Sequence, residues 1–389
     1  MQRLIYLLLF MMGLFLLVSL TSYAKDNERW IVIFDKSMNE DDENKCIKES
    51  GGNFIKNIPI IKGKVITADN KKAEALKNKK GVIRIDPDVI VNAHAQTLPW
   101  GVNRIDADLA WKSSSGSGVK VGIIDTGIST VHKDLKVYGG INTINGISYN
   151  DDNGHGSHVA GIVSALNNTS GVVGVAYNAR LYAIKALNSS GSGYLSDIIE
   201  GLDWCINNGI KVINMSLGTS SNVKSFEDAV KKVYSLGIVM VASAGNSSGG
   251  AVSYPAAYAE VIAVSATNTN DSIASFSSIG PEVELSAPGV NIYSTYKSTS
   301  FAYMSGTSMA APHVTGTVAL LLAKGITGIE QIRNKLISTA DDLGTAGFDP
   351  KFGFGLVDAQ EAVTDVQTLP APPNISGKTT ITWGEAKSR

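Results

Sequence analysis

Short apolar runs rich in β-branched residues alternate with helical patterns between about residues 95 and 365. The candidate strands are residues 119–125, 181–186, 212–217, 238–244 and 261–265. The candidate helices are residues 158–166, 196–207, 225–235 and an apolar stretch that runs from residue 308 to about residue 323. Strands that are apolar along almost their whole length and alternate with helices are typical of a parallel sheet covered on both faces. The pattern predicts an α/β fold in which functional residues gather at the carboxyl ends of the strands.

Residues 25–94 have a different pattern, dense in lysine and poor in glycine. The pattern predicts strands at residues 30–34, 53–58, 64–67 and 82–91, with helices at residues 40–49 and 70–79. The resulting order, βαββαβ, is that of a small ferredoxin-like unit. Pro87 lies within the last strand and indicates an edge or a bulge, because proline cannot donate to a sheet ladder. By itself this pattern fits any small binding module.

The first 24 residues predict an export signal. Arg3 supplies the positive start, residues 4–20 are apolar apart from Ser19, and residues 22–24 form a small-x-small cleavage pattern. An uncleaved membrane anchor is the alternative, but a run of about 17 residues is at the lower limit for crossing a bilayer. We therefore expect cleavage after Ala24, a secreted extracellular protein, and no stable membrane insertion afterwards.

Charge and cysteine content narrow the class of protein. The 389 residues carry 34 Lys and Arg against 35 Asp and Glu, a formal net charge of −1. Because no basic stripe interleaved with aromatic residues appears, we expect no nucleic-acid partner. Cys46 and Cys205 cannot supply a disulfide framework for a secreted protein of this size.

The Pro-rich segment 369–374 predicts that residues 366–389 are a stiff linker and tail.

Asp125 directly follows the strand predicted at residues 119–125, in the sequence Asp-Thr-Gly. A carboxylate at the end of a strand can be held partly buried to orient an imidazole. The same three residues also occur in aspartic proteases, whose mechanism needs two carboxylates that share a proton. A single-chain enzyme of that class carries a second such motif, and this sequence has only one. A turn without catalytic function is the remaining alternative for this segment.

His155 lies between two glycines at the start of an apolar helical pattern, where an imidazole can face a cleft. His158 follows at the i+3 position, and two histidines so spaced raise the possibility of zinc. No glutamate stands between them and no third ligand is nearby in the sequence, which makes zinc a weak interpretation. We expect His158 to be a buried structural histidine.

Two further segments carry polar groups suited to acyl transfer. Asn246 follows the strand predicted at residues 238–244, and a side-chain amide there can donate to a developing oxyanion, although an ordinary Gly-Asn turn is the commoner case. Ser308 is at the start of the long apolar helix, where free backbone N–H groups favour an anion and where serine is most often a simple cap. Ala310 replaces the second glycine of the Gly-x-Ser-x-Gly elbow of α/β-hydrolases, and the order Asp, His, Ser differs from theirs.

Together the four segments resemble the subtilisin family, in their residues, order and spacing, over about residues 95–365. The resemblance implies a secreted serine endopeptidase with a three-layer α/β fold and a mainly parallel central sheet. It implies that Asp125, His155 and Ser308 form a catalytic triad, with Asn246 in the oxyanion hole. The order Asp, His, Ser is that of subtilisin itself. Residues 25–94 resemble the family's inhibitor propeptide, a small α+β domain that first assists folding and then inhibits.

The resemblance also implies where a protein or peptide substrate binds. Two extended segments would pair with its backbone, and a third group would form the primary pocket. The extended segments are Ser216, Leu217, Gly218 and Gly191, Ser192, Gly193. The pocket residues are Ser243, Ala244, Gly245 and Ser253. No charged residue is present in these segments, so we expect a broad preference for large apolar or aromatic residues before the scissile bond.

The resemblance further implies structural calcium and processing of a precursor. The side-chain ligands would be Gln96, Asp134 and Asn168, and the carbonyl ligands Leu166, Ser170 and Val172. Oxygen ligands of this kind suit Ca²⁺. The junction between propeptide and mature enzyme would lie between His94 and Ala95, with self-cleavage after His94. The domains are then the signal peptide (1–24), propeptide (25–94), peptidase domain (95–365) and tail (366–389).

Two other functions remain as alternatives. A catalytically silent relative that acts as a binding or scaffold module is the first, and the complete set of Asp125, His155, Ser308 and Asn246 argues against it. An esterase or lipase is the second, but it would need the other triad order and an apolar lid. We expect the mature protein to be a monomer.

Overall fold

A computed structural model describes residues 28–89 and 96–366. Within these ranges the chain divides into two compact units, one made of residues 28–89 and the other of residues 96–366. The predicted signal peptide with Ala24, the junction at His94 and Ala95, and almost all of the predicted tail lie outside the described residues. Their assignments therefore stay predictions.

The first unit is a four-stranded antiparallel sheet with two helices, in the predicted order βαββαβ. Its elements are β1 (Glu28–Phe34), α1 (Glu40–Glu49), β2 (Asn53–Ile58), a 3₁₀ turn (Pro59–Ile61), β3 (Gly63–Ala68), α2 (Asn70–Lys77) and β4 (Val82–Pro87). Each helix begins at a side-chain cap, because Asn39 accepts from Asp42 N and Asp69 accepts from Lys72 N. The strand order β2-β3-β1-β4 makes β4 an edge strand, as Pro87 indicates in the sequence. The strand ends at Pro87, earlier than the predicted bound of residue 91.

The second unit is an α/β domain. Its strands are β5 (Lys120–Asp125), β6 (Val137–Asn142), β7 (Arg180–Lys185), β8 (Val212–Met215), β9 (Val239–Ser243), β10 (Ile262–Thr267), β11 (Val283–Pro288), β12 (Ile292–Thr295) and β13 (Phe301–Met304). Its helices are α3 (Trp100–Arg104), α4 (Ala107–Ala110), α5 (His155–Ser164), α6 (Leu195–Asn207), α7 (Lys224–Ser235), α8 (Thr307–Ala323), α9 (Ile329–Ser338) and α10 (Ala359–Thr364).

Seven of these strands form one fully parallel sheet in the order β11-β10-β9-β8-β5-β7-β6. Side chains alternate across it, so that buried Ile123 packs with the apolar core on the α5 and α8 side. Its neighbour Ile124 packs with the core on the α6 and α7 side. The sheet is therefore covered by helices on both faces, and the predicted three-layer α/β architecture is confirmed.

The two edge strands of this sheet, β6 and β11, are missing from the sequence prediction. In β6 the apolar pattern is broken by adjacent glycines, of which Gly140 approaches the Ala183 carbonyl so closely that a Cβ would overlap it. In β11 the charged residue Glu284 interrupts the apolar run. Glu284 is fully buried and forms an ion pair with Arg333 at 2.8 Å. Neither strand can be recognised from apolar continuity alone, since its special residues are explained only by tertiary contacts.

The helix bounds differ from the predicted ones mainly at their beginnings. The helix predicted at residues 158–166 begins three residues earlier, at His155, so that this histidine occupies the first helical turn. Among the residues described, no helix is long and apolar enough to cross a membrane.

Candidate active site

The carboxylate of Asp125 and the imidazole of His155 form a close pair at the carboxyl end of β5. Asp125 is the last residue of the strand and is fully buried, while His155 is the first residue of α5. The Nδ1 atom of His155 lies 2.8 Å from Oδ1 and 2.9 Å from Oδ2 of Asp125. The backbone N–H of Thr126 also donates to Asp125 Oδ1, at 2.7 Å. The carboxylate is therefore held from two sides, and Nε2 is the ring nitrogen left to face a reacting group.

The pKa of His155 is raised above its ordinary value of 6.5, although burial alone lowers it. The charge of Asp125 and its hydrogen bond raise the pKa, and the charge of Asp151 adds to them. These interactions together outweigh burial, because an adjacent carboxylate stabilises the imidazolium form. An imidazolium stabilised in this way is the state that forms when a histidine accepts the proton of a nucleophile.

Ser308 is the second residue of α8 and lies two residues after Gly306, which caps the helix without a side chain. Its hydroxyl donates to the Ser216 carbonyl at 3.3 Å, a long hydrogen bond. In return, the Ser216 hydroxyl donates to the Ser308 carbonyl at 2.8 Å. The serine thus lies at a helix N-terminus, where the positive end of the helix dipole favours an anion. In unliganded enzymes such a hydroxyl often tightens onto its base only when substrate binds.

Asn246 is oriented by Thr307, a residue that the sequence analysis does not single out. The Asn246 Oδ1 atom accepts from the backbone N–H of Thr307 at 3.0 Å and from its hydroxyl at 3.1 Å. The same hydroxyl accepts from Gly245 N at 3.1 Å. Because Oδ1 accepts from Thr307, the amide N–H₂ of Asn246 is oriented as the group that can donate to a substrate oxygen. Only the position of Thr307 beside Ser308 offered a signal in the sequence.

The structure brings two of the predicted substrate segments together around Ser253. A Cβ added at Gly218 would lie 2.9 Å from Ser253 Cβ, and one added at Gly245 would lie 2.7 Å from its hydroxyl oxygen. Ser253 N also donates to the Ala244 carbonyl at 2.9 Å. Ser216 and Leu217 follow β8, and Ser243 ends β9, so both segments lie at the carboxyl edge of the sheet.

The other predicted substrate segment lies in the loop between β7 and α6. Gly191 donates to the Asn188 carbonyl at 2.9 Å, and Asn188 N donates to the Ser192 carbonyl at 2.8 Å. Gly193 lies so close to the Ala186 carbonyl that a Cβ would overlap it. These contacts join residues within this loop and hold its conformation.

Five residues of the predicted calcium set form one hydrogen-bonded cluster. Gln96 Nε2 donates to the carbonyls of Leu166 (2.6 Å) and Val172 (3.0 Å). Asn168 donates through its backbone N–H to Gln96 Oε1 at 3.2 Å and through its side chain to Asp134 Oδ1 at 2.7 Å. Asp134 Oδ2 accepts from Val172 N at 2.8 Å. Residues that are 34 to 76 positions apart in the chain therefore meet here.

Ser170 joins this cluster through its backbone N–H, which donates to Asn168 Oδ1 at 2.8 Å. Gly171 has a φ of 74°, and a Cβ there would overlap the Asp134 carboxylate. The loop consequently wraps closely around oxygen atoms, most of them carbonyl or amide, which is the kind of ligand set that Ca²⁺ prefers. In residues 28–89 and 96–366 no group of three or more His, Cys, Asp or Glu could hold a metal ion, and this set contains one carboxylate.

His158 is completely buried, and its Nε2 lies 3.0 Å from the carbonyls of both Ile292 and Ala302. Burial lowers its pKa to about 4, so the ring is neutral near pH 7. This geometry agrees with the structural role expected for His158. Cys205 is also fully buried, and burial raises the pKa of its thiol, which makes it an unreactive core residue.

A buried Asp–His pair at the end of a parallel strand and a serine at a helix N-terminus, in the chain order Asp, His, Ser, define a serine hydrolase on an α/β sheet. Residues 116–355 match the model of the subtilase family. Subtilisin DY of Bacillus licheniformis is 52% identical over 275 residues, which are 69% of this chain and 99% of that protein. An alkaline protease of Alkalihalobacillus alcalophilus is 46% identical over 308 residues, 78% of this chain and 79% of that protein.

A third relative, the minor extracellular protease Epr of Bacillus subtilis, is 41% identical over 329 residues, 80% of this chain and 50% of that protein. The chain belongs to the subtilase family and is a subtilisin-like serine endopeptidase.

Proposed function

We propose that this peptidase cleaves proteins through an acyl-enzyme on Ser308, with His155 as the general base and Asp125 as the residue that orients the imidazole. The observation that carries the proposal is the Nδ1 contact of His155 with fully buried Asp125 at 2.8 Å. As the Ser308 oxygen attacks the peptide carbonyl, Nε2 of His155 takes its proton and later delivers it to the leaving amine. Water then hydrolyses the ester by the same route in reverse.

A fluorophosphonate label tests the assignment of the nucleophile. The wild type should be labelled at Ser308, and Ser308→Ala should not be labelled. Ser305→Ala is the matched control, because Ser305 lies three residues away and accepts from Asn291 N through its hydroxyl. Labelling that survives in Ser308→Ala would show that another residue is the nucleophile. A wild type that takes up no label would leave a catalytically silent binding protein as the better interpretation.

The oxyanion of the tetrahedral intermediate would be held by the side-chain amide of Asn246 and the backbone N–H of Ser308. The amide is suitably pre-oriented, since Thr307 engages its carbonyl oxygen. Removing the corresponding donor in subtilisin costs about 100- to 1,000-fold in kcat. We expect a loss of that order for Asn246→Ala with KM almost unchanged, because the donor acts mainly on the transition state. Near wild-type turnover would remove Asn246 from the oxyanion hole.

Substrate would bind by adding a strand to Ser216–Gly218 on one side and Gly191–Gly193 on the other, a mode that is largely indifferent to sequence. The primary pocket would be formed by Ser243, Ala244, Gly245 and Ser253. The close approach of Gly218 and Gly245 to Ser253 supports this grouping. Because the grouped residues carry no charge, we propose a preference for large apolar or aromatic residues before the cleaved bond. Cleavage of a peptide library mainly after Lys, Arg or Glu would contradict it.

We propose that Ca²⁺ stabilises the loop formed by residues 166–172 and ties it to Gln96 and Asp134. The oxygens of Gln96, Asp134 and Asn168 and the carbonyls of Leu166, Ser170 and Val172 would hold it. The test is the thermal midpoint of inactive Ser308→Ala with calcium and with a chelator. Calcium should raise the midpoint, and Asp134→Asn should reduce that increase. A midpoint that does not respond to the chelator would rule the site out.

We also propose that the protein is made as a secreted precursor and processes itself. Residues 25–94 would act as folding aid and inhibitor, and cleavage after His94 would give a monomeric enzyme that begins at Ala95. The ferredoxin-like order of residues 28–89 and the apolar residues 4–20 support this proposal. Mass spectrometry of the purified wild type should show a mature chain beginning at Ala95, and purified Ser308→Ala should keep residues 25–94. Loss of those residues in Ser308→Ala would refute self-cleavage.

A further inference from the structure

The carboxylate of Asp151, four residues before His155, is buried and accepts five hydrogen bonds. Oδ1 accepts from Thr126 Oγ1 (2.9 Å), Asn153 N (2.9 Å) and Gly154 N (2.8 Å), and Oδ2 accepts from Ser157 N (2.9 Å) and Ser157 Oγ (2.6 Å). Both hydroxyls donate to Asp151 and at the same time accept from the backbone. Thr126 Oγ1 accepts from Gly156 N, and Ser157 Oγ accepts from Ser129 N, each at 2.9 Å. Five donors that converge on one side chain require an ionised carboxylate, which only accepts.

These hydrogen bonds join the two halves of the Asp125–His155 pair. Thr126 directly follows Asp125 on the β5 side, while Gly154 and Ser157 flank His155 on α5. The residue that caps α5, Gly154, has no side chain, and its φ of 116° is one that glycine tolerates. Asp151 supplies the missing cap, because it accepts from Ser157 N in the first turn and adds a negative charge at the positive end of the helix.

We propose that Asp151 is a positioning residue for peptide hydrolysis: by clamping Thr126 to the first turn of α5 it holds the imidazole of His155 against Asp125. The inference rests on the proposed catalytic roles of Asp125, His155 and Ser308. Asp151 acts through His155 and does not itself touch the reacting atoms.

The charge of Asp151 allows a test that separates a positioning role from a merely structural one, because this charge affects the pKa of His155. It is one of the causes that raise the pKa of His155, after burial, which lowers it, and Asp125, which raises it most. The other ring nearby, His158, is buried with a lowered pKa and is neutral near pH 7. The neighbouring carboxylate, Asp152, pairs instead with Lys185 Nζ at 2.7 Å, and its side chain is half exposed. Neutralising Asp151 should therefore move the acid limb of kcat/KM to lower pH.

The experiment measures kcat, KM and the pH profile of Asp151→Asn on a peptide p-nitroanilide, together with circular dichroism and the thermal midpoint. The amide group presents an N–H₂ toward donors, so the clamp loosens. We expect kcat to fall about 100-fold, the loss typical of a misplaced catalytic group. KM should change little, and the acid limb should move to lower pH. Asp152→Asn is the matched control, since it removes the same charge one residue along the chain, and should keep wild-type kcat and the wild-type acid limb.

A folded Asp151→Asn with kcat within about twofold of wild type and an unmoved acid limb would overturn the inference. If Asp151→Asn does not fold, Thr126→Val replaces it, because it removes the linking hydroxyl without changing charge or bulk. Thr126→Val should lose about tenfold in kcat with the acid limb in place, and full activity of that variant would equally overturn the inference. Fluorophosphonate labelling of the same preparations separates the two proposals. A wild type that is not labelled at Ser308 refutes the proposed catalytic roles themselves. If the wild type is labelled and active, and Asp151→Asn leaves kcat and the acid limb unchanged, only the clamp is refuted.

Discussion

Replacing Asp358 with asparagine should make the protein more stable at alkaline pH. Asp358 caps α10: its Oδ1 accepts from Glu361 N at 2.7 Å, and its side chain is almost completely buried. Its other oxygen, Oδ2, has no hydrogen-bond partner in the described part of the chain. Burial raises the pKa of this carboxyl to about 7 despite the hydrogen bond from Glu361, and the charges of Asp341, Asp106 and Glu361 raise it further. Asparagine keeps the capping oxygen and cannot ionise.

The magnitude follows from proton linkage. The ordinary pKa of this carboxyl is 3.8, and the folded protein raises it to about 7. Between these values the folded state binds more protons than the unfolded state, so the free energy of unfolding falls as pH rises and levels off above the folded pKa. Roughly three pKa units correspond to about 4 kcal/mol, of which about 3 kcal/mol is lost between pH 5 and pH 9. The stability of Asp358→Asn relative to wild type should increase by that amount over this range.

The assay is urea unfolding followed by circular dichroism at pH 5, 7 and 9, with both proteins carrying Ser308→Ala to prevent autolysis. Comparing the variant with its parent at each pH cancels the titration of all other groups. Asp203→Asn on α6 is the control, because it makes the same change of residue type at an exposed carboxylate. A stability difference for Asp358→Asn that stays constant within about 0.5 kcal/mol from pH 5 to pH 9 would show that the folded protein does not hold this carboxyl protonated.

Two further predictions concern buried charge. Burial lowers the pKa of His158 and of His313 to about 4 from 6.5, so only the unfolded state takes up their protons between those values. The free energy of unfolding should therefore fall by about 3 kcal/mol per histidine as pH drops from 6.5 to 4. Urea midpoints of Ser308→Ala measured across this range would test the prediction, and a midpoint that does not change with pH would contradict it. Arg333→Leu removes the partner of fully buried Glu284 and should lower the free energy of unfolding by about 3 to 5 kcal/mol at pH 7. A loss below about 1 kcal/mol in the same assay would show that Glu284 finds another partner.

The sequence by itself determined the elements whose burial follows a simple period. The apolar runs at β5, β8, β9 and β10 are central strands buried on both faces, and such strands are apolar along their whole length. Because a parallel sheet collects the ends of its strands at one edge, the approximate location of Asp125 and Asn246 was also predictable. The residues, order and spacing of the four segments were together sufficient to indicate the family.

Only the tertiary structure decided how the polar groups pair. That Asp151 meets Thr126, 25 residues away, and that Thr307 meets Asn246, 61 residues away, depends on strand order and on how the helices begin. No periodicity in the chain encodes such contacts, since a hydrogen bond between distant residues is formed only when the sheet has already placed both. The same reason explains the edge strand β11, whose buried Glu284 looks like a surface residue until Arg333 is brought to it.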